Sequence, residues 1–242
     1  MDSASHSILI VDDEADIRDS VADILTDFGY DVATAANGNE ALALISERSF
    51  DVALLDFRMP GMDGLTLFRE LRRRCPETSA ILVSAYTEDG VAEEALESGI
   101  RRVITKPVDM GVVIAEVDKQ LDRPLALVVD DDQDFCASLR DVLDDWGYRV
   151  SLAGSEEEAG RLLQDHHPQV VVLDVVLGSD SDPGRVLQTI KDSTPDAEVV
   201  LVTGHRSETE PVIGELVDSG AAAVCFKPLD LKRLLELLPA PV

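Results

Sequence analysis

The sequence predicts an α/β protein made of two consecutive copies of one domain, each with five parallel strands and helices on both faces of the sheet. The first observation is an internal repeat: Val11–Val32 matches Val129–Val150 at 11 of 22 positions without a gap. A repeat with so long a period is not a solenoid unit and indicates a duplicated domain. The second observation is the length of 242 residues, which suits two domains of roughly 120 residues each. We therefore expect domains at residues 1–122 and 123–242.

The third observation is the alternation of short apolar runs with segments of helical spacing, which indicates a doubly wound parallel sheet in each half. In the first half the predicted strands are Ser7–Val11, Tyr30–Thr34, Asp51–Asp56, Ala80–Ser84 and Arg101–Thr105, and the predicted helices are 15–28, 38–48, 64–74, 88–98 and 110–121. In the second half the predicted strands are Leu125–Val129, Arg149–Leu152, Val170–Leu173, Val199–Val202 and Ala222–Phe226, and the predicted helices are 133–146, 155–165, 184–192, 206–219 and 229–238. Only the short linker Asp122–Pro124 separates the two halves.

Charge and cysteine usage limit the classes of partner and the compartment. The net charge is −27, and so acidic a surface repels nucleic acid and anionic membranes, which are therefore not expected partners. No apolar run reaches the roughly 18 residues of a membrane span. The three cysteines are scattered, a pattern that suits a reducing compartment and predicts a cytoplasmic protein.

Polar residues follow the predicted strands at the points where those strands end. In the first half they are Asp12, Asp13, Asp56, Ser84 and Lys106, and in the second half Asp130, Asp131, Asp174, Thr203 and Lys227. The shift from Asp12 to Asp130 equals that from Asp56 to Asp174, at 118 residues. Ligands of open α/β sheets bind beyond the carboxyl ends of the strands, so each set is expected to share one crevice.

Three carboxylates in each predicted crevice point to a metal ion. A single Asp after a strand commonly caps the next helix. Three at adjacent strand ends repel one another by roughly 3 kcal/mol per pair at about 5 Å, a cost that a cation and a lysine would relieve. A site with few protein carboxylates and open positions for water or phosphate is the pattern of Mg²⁺.

Two further features accompany the crevices. Each lysine precedes a proline, Pro107 or Pro228, in a turn where a cis peptide bond is plausible. Each hydroxyl precedes a small residue, Ala85 or Gly204, which leaves room for an incoming phosphoryl group.

With these motifs, both halves resemble the receiver domains of two-component response regulators, over nearly the whole chain. The resemblance rests on the carboxylate pair, the third-strand Asp, "MPGMDG" at 59–64, the Ser or Thr after the fourth strand and the Lys-Pro after the fifth. It implies a flavodoxin-like sheet of strand order 2-1-3-4-5 in each domain.

The resemblance also implies a role for each residue. Asp56 and Asp174 would accept phosphoryl groups as nucleophiles. Lys106, Lys227, Ser84 and Thr203 would bind the phosphoryl oxygens. The Mg²⁺ ligands would be the carboxylates of Asp12, Asp13, Asp56, Asp130, Asp131 and Asp174 and the backbone carbonyls of Arg58 and Val176.

The chain departs from the family pattern in several places. Val103 and Val224 stand where many receivers carry an aromatic side chain three residues before the lysine. The second copy has "LGSDSDPG" at 177–184 in place of "MPGMDG", so its loop is expected to differ in shape. Tyr86 and His205, two residues after the hydroxyls, flank the path of an attacking water and predict different dephosphorylation rates.

The expected function is a tandem-receiver response regulator without an output domain, phosphorylated on Asp56 and Asp174 and acting through phosphorylation-dependent protein contacts. Its expected partners are a histidine kinase or phosphotransfer protein, an unidentified downstream protein and a second copy of this chain. The alternative is an interaction protein in which one copy, more readily the second, is a docking domain without a phosphoryl group. An aspartyl-phosphate hydrolase needs a second Asp two residues after the nucleophile, where Arg58 and Val176 stand, so we expect no enzyme of that class.

Overall fold

The computed structural model describes residues 6–85, 94–95, 98–100, 102–178, 182–204 and 206–241. The chain divides into two compact units, Met1–Asp122 and Arg123–Val242. Most of the predicted helix 88–98, the residues Tyr86 and His205 and part of the loop 177–184 lie outside the described residues.

The first unit is a parallel sheet of five strands. These are β1 (Ser7–Val11), β2 (Asp31–Ala35), β3 (Val52–Asp56), β4 (Ser79–Ala85) and β5 (Arg102–Lys106), in the order β2-β1-β3-β4-β5. Its described helices are Ala15–Asp27, Gly38–Glu47, Gly64–Arg74 and Met110–Leu121. The predicted strand order is therefore confirmed.

The second unit repeats this topology. Its strands are β6 (Leu125–Val129), β7 (Arg149–Ala153), β8 (Val170–Asp174), β9 (Glu198–Thr203) and β10 (Ala223–Phe226), in the order β7-β6-β8-β9-β10. Its helices are Gln133–Trp146, Glu156–Asp165, Pro183–Ser193, Arg206–Asp218 and Leu231–Leu237. The strand order of the second sheet matches that of the first, so the fold predicted for the second half is also confirmed.

Apolar side chains on both faces of each sheet form two core layers per unit. In the first unit, Leu9 and Leu55 belong to one layer and Ile8 and Leu54 to the other. The five residues of β3 are all buried, as a central parallel strand requires. Burial of this strand places Asp56, its last residue, at the bottom of the crevice at the sheet edge.

The helix Met110–Leu121 carries more apolar residues than one helical face needs. Val113 and Val117 are buried, and Ile114 packs against the same core layer. Val112 points away from that layer and is 47% exposed. The helix therefore offers apolar surface beyond its own core at Val112.

Arg123, the first residue of the second unit, donates hydrogen bonds to main-chain carbonyls at and just after the end of the helix Gln133–Trp146. The Arg123 guanidinium donates to the carbonyl oxygens of Gly147, Asp144 and Tyr148, and pairs with the Asp144 carboxylate. Gly147 and Tyr148 follow the last residue of the helix, and the Asp144 carbonyl also accepts from the Gly147 N–H at 3.1 Å, so the arginine adds a donor where the helix ends. Arg123 is therefore part of the second fold.

A tyrosine at the same position of each repeat contacts the last part of its own unit. The buried Tyr148 hydroxyl donates to the carbonyl of Pro239. The Tyr30 hydroxyl donates to the Asp118 carboxylate on the last helix of the first unit.

Among the residues described, no helix combines the length and the apolar character needed to cross a membrane.

Candidate functional site

Strand ends bring the predicted residues of the first unit together. One oxygen from each of the carboxylates of Asp12, Asp13 and Asp56 lies within 4.8 Å of the others. Asp12 and Asp56 are buried, whereas Asp13 is exposed. Backbone hydrogen bonds that extend the sheet fix this edge, including Asp12 N–H to Ala35 O at 3.2 Å. The crevice is therefore acidic at its base and open to solvent at Asp13.

Lys106 lies among these carboxylates. Its Nζ is 2.7 Å from Asp56 Oδ1 and 3.1 Å from Asp12 Oδ2. A third carboxylate, Glu14 Oε1, lies 3.4 Å from the same atom. One ammonium thus balances part of the negative charge that the crevice collects.

Burial and neighbouring charges shift the pKa values of Asp56 and Lys106 in opposite directions. Burial raises the pKa of Asp56 above its usual value, and the hydrogen bond and charge of Lys106 only partly reverse this. Burial alone would lower the pKa of Lys106, but hydrogen bonds and charges of Asp56 and Asp12 raise it well above its usual value. The lysine is therefore firmly protonated, and its charge favours the ionised form of the Asp56 carboxylate.

The second unit builds the same site. The carboxylates of Asp130, Asp131 and Asp174 approach within 4.8 Å, again with only the second of them exposed. Lys227 Nζ lies 2.7 Å from Asp130 Oδ2 and 2.8 Å from Asp174 Oδ2. Burial raises the pKa of Asp130, with Lys227 opposing it and Asp174 adding to it.

A backbone N–H supports each third-strand carboxylate. Val176 N–H donates to Asp174 Oδ1 at 2.9 Å, and the backbone of Arg58 makes a hydrogen bond to Asp56 that lowers its pKa. In Asp174 one oxygen therefore contacts the backbone and the other the lysine. The carbonyls of these two residues as metal ligands remain a prediction.

The hydroxyl residues lie at the ends of the fourth strands. Ser84 is buried at the end of β4, where its partner in β5 is Thr105. Thr203 is fully buried at the end of β9, where its partner is Phe226. Both hydroxyls are positioned by strands that neighbour the strand of the third-strand Asp.

Two backbone features shape the walls of the crevice. The Lys106–Pro107 and Lys227–Pro228 peptide bonds are both cis. A Cβ on Gly64 would lie 2.4 Å from the backbone oxygen of Asp56, so only glycine allows the helix Gly64–Arg74 to start so close to this strand end. The loop that follows Asp56 is therefore packed tightly against its main chain.

The donor set of each crevice suits Mg²⁺. All three side chains offer carboxylate oxygens, the hard ligands that Mg²⁺ prefers, and the exposed member leaves room for water molecules. The three carboxylates exceed the single lysine charge, so a divalent cation would relieve the remaining repulsion. Asp12, Asp13 and Asp56 would hold it in the first unit, and their counterparts in the second.

Both halves of the chain match one protein family. The model of the response regulator receiver domain matches residues 8–118 and, separately, residues 126–239. The chain belongs to the response regulator receiver family. Receivers bind Mg²⁺ in this acidic pocket and act in two-component systems.

Individual relatives cover either the whole chain or one receiver. A response regulator receiver protein of Anaeromyxobacter sp. (strain Fw109-5) is 35% identical over 94% of this chain and 92% of its own length. The chemotaxis protein CheY of Bacillus subtilis (strain 168) is 35% identical over 48% of this chain and 98% of its own length. A solved CheY-like receiver of Methanospirillum hungatei JF-1 is 34% identical and covers 49% of this chain and 95% of its own, with a TM-score of 0.47.

Among the described residues, three that contact the two sites were not predicted from the sequence. Glu14 contacts Lys106, the Arg18 guanidinium donates to the carbonyl of Asp12 at 2.8 Å, and the Phe135 ring lies under Lys227. All three lie within a few residues of a carboxylate pair, at the start of the following helix. That placement is the signal that could have identified them.

Proposed function

We propose that this tandem receiver accepts one phosphoryl group on Asp56 and one on Asp174, and that it signals through protein contacts that depend on them. The observation that carries the proposal is the lysine in each receiver. Its ammonium lies 2.7 Å from the Asp56 carboxylate and 2.8 Å from that of Asp174. Each acceptor is thus buried, paired with a lysine ammonium group and located beside an open acidic pocket.

The transfer itself needs a carboxylate oxygen and a phosphohistidine. The oxygen attacks phosphorus, the P–N bond breaks, and the imidazole nitrogen keeps the electron pair and takes a proton from solvent. A bound Mg²⁺ would neutralise phosphoryl oxygens during this step. The residues of the chain hold the nucleophile: in the second receiver Val176 N–H fixes one oxygen of Asp174, and the lysine stabilises the other.

After transfer, the charge at the acceptor changes from −1 to about −2. The lysine gains a stronger partner in the phosphoryl oxygens than it had in the carboxylate. The buried hydroxyl of Ser84 or Thr203 would donate a hydrogen bond to the same oxygens. Lysine and hydroxyl sit on neighbouring strands, so their movement toward the phosphoryl group shifts β4 and β5, or β9 and β10.

The proposed partners are a histidine kinase or a phosphotransfer protein as donor, and a protein that recognises the phosphorylated form. We place the protein in the cytoplasm, because Cys75, Cys136 and Cys225 are all free and buried, as suits a reducing compartment. The chain would act as an acceptor and not as an enzyme that turns over an external substrate.

The test is intact-mass spectrometry after treatment with acetyl phosphate and Mg²⁺. The wild type should gain up to two phosphoryl groups, Asp56→Asn and Asp174→Asn one each, and the double variant none. Lys106→Ala should retain Mg²⁺ binding in the first receiver but lose the response to phosphorylation, since the lysine pairs with charge that appears only with the phosphoryl group.

A matched control is Asp23→Asn, which removes an exposed carboxylate from the outer face of the helix Ala15–Asp27. It should leave both phosphoryl groups in place. A wild type that gains one group at most, with Asp174→Asn unchanged, would make the second receiver a docking domain, which is the alternative function.

A further inference from the structure

The two lysines have different third partners. Lys227 Nζ lies 4.3 Å from the centroid of the Phe135 ring. This is well inside the roughly 6 Å over which a ring face attracts an ammonium group. The ring is half-buried and packs against the core layer that contains Cys136 and Leu139. Its orientation is therefore set by packing and not by the lysine alone.

The equivalent position in the first receiver is Ile17, 118 residues earlier. Ile17 lines a cavity of about 20 Å³ beside Asp12 and Asp56. An aliphatic side chain there offers no face to a cation, and Lys106 instead contacts Glu14 at 3.4 Å. The first receiver thus uses a charged third partner.

The residue that corresponds to Glu14 in the second receiver is Asp132, and its carboxylate is engaged elsewhere. Its Oδ1 accepts hydrogen bonds from the backbone N–H groups of Asp134 and Phe135, at 3.1 and 3.0 Å, and caps the helix Gln133–Trp146. The same cap fixes the main chain of Phe135. Asp132 therefore caps the helix and also fixes the backbone of the residue that contacts Lys227.

We propose that Phe135 is a positioning residue for Lys227, holding the ammonium between Asp130 and Asp174 by a cation–π contact. The inference rests on the proposed function, because it assigns a role in phosphorylation of Asp174. A ring attracts the ammonium without adding a negative charge. It therefore does not compete with the phosphoryl group for the lysine, as the Glu14 carboxylate does in the first receiver.

The experiment separates the ring face from ring volume within the full chain. Phe135→Leu keeps an apolar side chain and removes the face, Phe135→Tyr keeps the face, and Ile17→Leu is the matched change in the first receiver. With acetyl phosphate and Mg²⁺, the rate at Asp174 should fall about five-fold in Phe135→Leu, the factor for a contact of about 1 kcal/mol. It should recover in Phe135→Tyr. Asp56 should react at the wild-type rate in both Phe135 variants, and Asp174 should react at the wild-type rate in Ile17→Leu.

A second measurement does not depend on phosphorylation. In the metal-free protein, NMR should show the Lys227 Cε protons shifted upfield by the ring current, and Phe135→Leu should remove the shift. Unshifted protons in the wild type, or equal Asp174 rates in Phe135→Leu and the wild type, would overturn the positioning role. A clear ring-current shift with no phosphoryl group on Asp174 would instead overturn the proposed function of the second receiver, and the positioning role with it.

Discussion

Replacing Asp13 by Asn should stabilise the metal-free first receiver and weaken its response to Mg²⁺. Its carboxylate has an oxygen within 4.8 Å of those of Asp12 and Asp56. At that distance two unit charges repel by about 3.5 kcal/mol at an effective dielectric of 20, and by about 0.9 kcal/mol in bulk water. Asp13 is exposed, so the lower figure is the better guide to each pair.

Two such pairs sum to about 2 kcal/mol, and the charge of Lys106 offsets part of this, which leaves a stabilisation of about 1 kcal/mol. A receiver of this size should then melt about 4 °C higher. Mg²⁺ at ten- to thirty-fold excess over its Kd should add roughly 1–2 kcal/mol to the wild-type receiver, and much less to the variant.

Scanning calorimetry of the full chain, with EDTA or with Mg²⁺, measures both effects. Asp131→Asn is the matched change in the second receiver, and each variant should alter only the transition of its own unit. Asp23→Asn controls for the loss of a surface charge. A wild-type melting profile indifferent to Mg²⁺, or a full Mg²⁺ response retained when Asp13 and Asp131 are both replaced, would refute the argument.

Two other pairs of substitutions test packing and hydrogen bonding within the two units. Gly64→Ala should lower the free energy of unfolding by about 2–3 kcal/mol and slow phosphorylation of Asp56, because a Cβ would lie 2.4 Å from the Asp56 carbonyl oxygen. In Gly184→Ala the Cβ would meet only a side-chain oxygen at 3.2 Å, so the loss measured by denaturation should be under about 1 kcal/mol. Tyr148→Phe should lower the unfolding free energy by about 1 kcal/mol through loss of a buried hydroxyl's hydrogen bond, and Tyr30→Phe, whose bond is exposed, by less; equal losses would argue against burial as the cause.

The convergence of Asp12, Asp56 and Lys106 was predictable because parallel strands present their carboxyl ends at one edge of a sheet. Knowing which residues end the strands is then enough to place them together. The third partner of each lysine was not predictable. It depends on the side-chain conformation of a residue in the first turn of a helix, which strand-end spacing does not specify.

The boundaries of the described elements were predicted to within about two residues, and the deviations have local causes. The second strand was expected from Tyr30 but begins at Asp31, because Tyr30 N–H bonds back to Leu25 at the helix end. The last helix was expected from residue 229 but begins at Leu231, since the Asp230 carboxylate caps it by accepting from Arg233 N–H. Apolar periodicity reports neither a turn nor a cap.

The arginine at the start of the second unit affects how that unit can be excised. The family match begins only at residue 126, and a gene fragment cut there would discard Arg123. The carbonyls of Asp144, Gly147 and Tyr148 would then lose their guanidinium donor. A fragment meant to represent the second receiver alone should therefore start at or before Arg123, so that it keeps these hydrogen bonds and their contribution to the free energy of unfolding.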